Sequence, residues 1–153
     1  MVDSHVRLAV PSDRDELSRL RVALWPESSV EEHRKELASI LAGESIGSLP
    51  MAVFVAEEDG SLAGFLEVGL RSHADGCDPR SPAGYVEGWF VSEIHRRKGV
   101  GARLLAAAED WARTQGCVEM ASDAVLDNVT SQRVHEAVGF EIVDRCVRFR
   151  KTL

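Results

Sequence analysis

Apolar positions along the 153-residue chain change period several times, and each change marks an element. His5–Val10 alternates as a strand does, and a helical spacing of Leu17, Leu20 and Leu24 follows a start at Ser12 or Asp13 and stops at Pro26. Ser29 with Glu32 three residues later is a capping box, so a second helix runs from there to Gly43. Two β-rich runs flank Asp59-Gly60, a hairpin signal, whereas residues 71–83, with Gly76, Pro79 and Pro82, read as a loop. Gly84–Val91 is β-rich, and Leu104, Leu105, Ala108, Trp111 and Ala112 then share one face of a helix over Gly99–Gln115, stopped by Gly116. Val118–Val125 reads as a fifth strand, Asn128–Phe140 holds a short helix ending at Gly139, and Glu141–Leu153 reads as closing strands. An α+β fold with a mixed, largely antiparallel sheet is expected, as one domain over residues 1–153.

Composition narrows the partners. Net charge is −7, with 25 acidic residues against 18 Lys plus Arg, which disfavours nucleic acid and suits a cationic partner. No apolar run is long enough to cross a membrane and no secretory leader opens the chain, so a soluble, cytoplasmic protein without membrane association is expected. Cys77, Cys117 and Cys146 are odd in number and lack metal-type spacing; reduced thiols and no metal are expected.

Against this acidic background, His95-Arg96-Arg97-Lys98 runs into Gly99-Val100-Gly101 at the mouth of a helix. Unpartnered N–H groups and the positive dipole end make a helix start an anion site, and glycines let the backbone come close. The plain alternative is a solvated basic turn. The P-loop pattern is absent, and Leu104 stands where a dinucleotide fingerprint needs a third small residue. Arg96-x-x-Gly99-x-Gly101, placed after a strand and opening a helix, resembles the acyl-CoA loop of the GNAT N-acetyltransferases. Asn128, Ser131, His135, Gly139 and Phe140 keep the spacing of that family's second signature.

Leu24-Trp25-Pro26, Gly76-Cys77, Tyr85–Val91, Gly116–Asp123 and the 128–140 signature extend the likeness to the small, single-domain aminoglycoside 6′-N-acetyltransferases. The resemblance implies the GNAT acyl-CoA N-acyltransferase fold, acetyl-CoA as acyl donor, a polycationic aminosugar as acceptor and a homodimer. It implies cofactor contacts from the Trp89, Phe90 and Val91 backbone, from Arg96, Arg97, Lys98, Gly99, Val100, Gly101 and Ala102, and from Asn128 and Ser131. Glu87 and Asp123 are expected to hold the acceptor amine, with Glu87 as base, and Trp25, His73 and Asp144 join the substrate pocket, with Asp78 a further candidate.

Each assignment has a plainer alternative. Glu87 also reads as a surface carboxylate, Asp123 as a turn residue, Trp25 as core and Asn128 as a helix cap that also reaches the cofactor. His135 stands where most of the family has a tyrosine thought to protonate the departing thiolate. An imidazole can do this, but a thiol of pKa ~8.5 leaves with little help, so a packing role stays open. Two other functions remain: a GNAT enzyme for a polyamine or protein N-terminus, and a non-catalytic acyl-CoA-binding sensor.

Overall fold

The computed structural model describes residues 4–44 and 49–153. Its elements are β1 (His5–Leu8), α1 (Arg14–Leu24), α2 (Val30–Leu41), β2 (Met51–Glu58), β3 (Ser61–Arg71), β4 (Ala83–Val91), α3 (Val100–Thr114), β5 (Met120–Ala121) and α4 (Val129–Ala137). Short 3-10 turns at Pro11–Asp13 and Glu93–His95 lead towards α1 and α3. The capping box forms as the sequence predicts, with Ser29 accepting from the Glu32 N–H and the Glu32 carboxylate accepting from the Ser29 N–H. Asp59 and Gly60 both take positive φ, the two-residue turn whose twist matches a hairpin.

The sheet runs in the order β1-β2-β3-β4-β5, antiparallel except for the parallel β4–β5 pair. Side chains alternate across it. Ala52, Phe54 and Ala56 join Val86 and α3's Val100, Leu104, Leu105 and Ala108 on one face. Val53, Val55 and Phe65 meet Leu17 of α1 and Leu37 of α2 on the other. Covering both faces explains why β2 reads as an almost continuous apolar run.

Two features of this sheet prepare the site. Opposite Glu67 and Val68 of β3 stand Gly88 and Val86 of β4, which leaves Glu87 as an extra residue in a bulge. Strands β4 and β5 pair only at Gly84–Met120 and Tyr85–Ala121, so beyond Tyr85 the chain paths separate.

The C-terminal expectation is corrected. Glu141–Leu153 forms no strand and every residue in it is exposed, while β5 is two residues long where Val118–Val125 was expected. A strand persists only with a hydrogen-bonded neighbour, and β5 has one on the β4 side alone.

Candidate active site

The loop before α3 turns through two residues of positive φ, Arg97 (62°) and Gly99 (76°). Gly99 suits this conformation because a Cβ there would be strained. Helix α3 has no side-chain cap and no acidic residue in its first turn, and the Arg103 N–H is the one that bonds back to Gly99 O at 3.1 Å. The N–H groups of Val100, Gly101 and Ala102 therefore open the helix as donors for an anion. Arg96, Arg97 and Lys98 are exposed around them.

Strand β4 is tied to that loop. The Trp89 indole N–H donates to Gly101 O at 3.2 Å, and Arg96 Nε donates to Val91 O at 2.8 Å with its guanidinium 5.8 Å from the Phe90 ring. Across the gap, Asn128 caps α4 by accepting the Ser131 N–H at 3.0 Å, which uses Oδ1 and leaves the Nδ2 donor. His135 Nδ1 lies 2.7 Å from Ser131 O, so it carries the proton; Nε2 then accepts from the Ser122 hydroxyl at 2.7 Å. The imidazole meets Trp89 and Phe140 edge-on, at centroid distances of 5.4 and 5.2 Å.

On the opposite face of the sheet, Glu87 borders a groove with Trp25, Glu36, Met51 and Glu67. Trp25 is held by the His33 ring N, 3.2 Å from its carbonyl, and lies so close to Gly88 that a Cβ there would come within 2.4 Å of the indole. It serves as both core and wall. Beneath it, Arg21 is buried between Glu36 (3.0 Å) and Glu67 (2.9 Å). The second contact is close but poorly aligned, and burial outweighs Arg21's attraction, pushing the Glu67 carboxyl up to about 7.

Glu87 and Asp123 are joined through two residues that the sequence reading missed. Arg71 binds both Glu87 oxygens, at 3.2 and 3.1 Å, and its guanidinium lies 3.4 Å over the Tyr85 ring. Tyr85 donates its hydroxyl to Asp123 at 2.6 Å, and burial and this carboxylate push the phenol up to about 12. One signal was available in the sequence: Tyr85 shares strand parity with Glu87.

The other expected pocket residues lie outside this chain of contacts. His73 is exposed, 3.6 Å from Asp75, and Asp78 pairs with Arg80 at 2.8 Å. Among the described residues Asp144 accepts only its neighbour Arg145's N–H, although nearby Arg148 stands 3.9 Å from Asp123. Among the described residues no cluster of His, Cys, Asp or Glu could hold a metal, and no helix is long and apolar enough to cross a membrane.

A β4–β5 pair that ends at Tyr85, an uncapped α3 and a positive-φ loop before it form one strand–loop–helix unit. Residues 14–140 match the Acetyltransferase (GNAT) family, and the chain belongs to it. It is 43% identical over 151 residues to an aminoglycoside N(6′)-acetyltransferase type 1 of Serratia marcescens, covering 95% of this chain and 99% of that one. A protein of the same name from Klebsiella aerogenes is 40% identical, with 97% and 96% covered. Among solved structures, AAC(6′)-Iy in complex with the bisubstrate analogue CoA-S-monomethyl-acetylneamine superposes with a TM-score of 0.87 at 34% identity, covering 99% of both chains.

Proposed function

We propose that the chain transfers the acetyl group of acetyl-CoA to the 6′-amino group of an aminoglycoside, thereby conferring resistance, by direct attack within a ternary complex. The relatives' names supply the substrate class; the Glu87–Arg71–Tyr85–Asp123 constellation beside the splayed strands carries the reading here. Residues 1–153 act as one N-acetyltransferase domain.

On this reading the amides of residues 97–102 hold the diphosphate, and the backbone of Trp89–Val91 lines the pantetheine arm as a neighbouring strand would. Asn128 Nδ2 and Ser131 add contacts from α4. The acceptor's ammonium must lose a proton before it can attack, and Glu87 takes it, directly or through a water. Asp123 orients the amine. Holding amine and thioester together supplies much of the rate, and backbone N–H groups of β4 stabilise the oxyanion.

His135 has both ring nitrogens engaged by Ser131 and Ser122, which supports a packing and positioning role for it over that of the acid. His73 and Asp144 would reach an acceptor only as outlying contacts.

The protein acts as a homodimer in the cytoplasm. The exposed Glu141–Leu153 segment, with Val147 and Phe149 uncovered, and the free side of β5 support self-association, and free thiols at Cys77, Cys117 and Cys146 suit a reducing compartment. The acidic balance supports neither a nucleic-acid nor a membrane partner. Glu87→Gln is expected to lower kcat on an aminoglycoside by about a hundredfold or more, with acetyl-CoA affinity kept. Unchanged turnover across the pH range would remove Glu87 as the base.

A further inference from the structure

The Arg71 guanidinium stands where the reading above places the acceptor's ammonium. It covers the Tyr85 face at 3.4 Å, engages both oxygens of Glu87, and lies one phenol ring away from Asp123. A bidentate cation also draws electron density from the carboxylate that has to accept a proton. Yet the pair is not buried, since the side chains of Arg71 and Glu87 are 44% and 37% exposed. Exposed ion pairs are weak and exchange readily.

We propose that Arg71 is a specificity-determining residue, a resident cation that the acceptor must displace from Glu87 and Tyr85. The inference rests on Glu87 and Asp123 as the acceptor's groups. An amine with a single charge trades one ion pair for another and gains little. A polycationic aminosugar brings further ammonium groups, which reach Asp123 and the exposed Glu36 of the groove while one of them replaces the guanidinium. Arg71 thus selects against small amines that would otherwise be drawn to the same carboxylates.

The test compares Arg71→Gln with the parent protein on two acceptors, an aminosugar rich in amino groups and a small diamine. Arg71→Gln is expected to lower the KM for the diamine by up to about fivefold, the range of a lost exposed ion pair. The KM for acetyl-CoA stays the same. Arg71→Lys, which keeps the charge but loses the planar fork, should fall between. A diamine KM that is unchanged or raised overturns the proposal.

A crystal structure of the unaltered protein with CoA and an aminosugar decides independently. A guanidinium swung off Tyr85 with an acceptor nitrogen in its place supports the proposal; one still clamped on Glu87 with acceptor bound overturns it. Glu87→Gln run in parallel separates the two readings. If it loses turnover while Arg71→Gln leaves the diamine KM unchanged, only the Arg71 inference fails, whereas full turnover in Glu87→Gln removes both.

Discussion

Tyr85 is the chain's single tyrosine, so its ionisation can be followed without interference from another phenol. Burial and the Asp123 carboxylate together push it up to about 12. In Asp123→Asn the charge is gone, and a near-ultraviolet absorbance titration is expected to show the phenol ionising at lower pH than in the parent. No movement would mean that the Tyr85–Asp123 bond is not held in solution. Glu67 offers a second residue-scale test. Only 3% exposed, it ionises at about 7 in the folded chain against an ordinary 4.5, so the unfolded chain releases this proton first as pH rises. Its contribution is complete below the unfolded value and lost as pH climbs through about 7, opposite in sign to that of Asp13, whose carboxyl Arg7 holds below the usual range. Thermal melts should show Glu67→Gln flattening the fall in stability between those two pH values. At this scale the sequence disclosed which residues carry charge, but not that Arg71 would lie on Tyr85; that pairing joins different strands and follows from their register.

At the level of elements, strand–loop–helix is the unit the sequence displays best. The bounds of α3, the hairpin at Asp59-Gly60 and the Ser29 capping box all follow from local rules, and all three formed. Gly101 sits in the first turn of α3, where a Cβ would come 3.3 Å from the Trp89 indole nitrogen. Gly101→Glu brings a carboxylate to the helix mouth, and calorimetry is expected to show CoA affinity reduced at least about tenfold, or ~1.4 kcal/mol. Affinity that survives would mean the loop does not bind the diphosphate. The bulge at Glu87 was not legible, because it arises where β3 and β4 count their residues differently. It also turns Glu87 and Gly88 towards the α1–α2 side, where Trp25 and Gly69 lie against them.

For the molecule as a whole, the uncovered C-terminal segment is an extended exposed surface of the single chain. Phe149 is 94% exposed and Ile142, Val143 and Val147 are exposed with it, while a groove between α3, β5 and Phe140 runs along the unpaired side of β5. Burying such side chains against a second copy would stabilise association by roughly 1.5–3 kcal/mol for each one fully covered. Sedimentation is expected to show a dimer, and Phe149→Asp should shift it towards monomer while circular dichroism stays unchanged. A dimer unaffected by that substitution would place the interface elsewhere. By itself the sequence determined the helices, the hairpin, the glycine turn before α3 and the family, because capping, turn chemistry and hydrophobic period act over a few neighbouring residues. Tertiary structure decided that β4 and β5 part after Tyr85, that Glu87 stands in a bulge beside Trp25, and that Arg71 lies across Tyr85 and Glu87. It also left the closing segment without a strand partner among the described residues, since a strand needs an edge to pair with and hydrogen-bonding patterns in distant residues are not written in local periodicity.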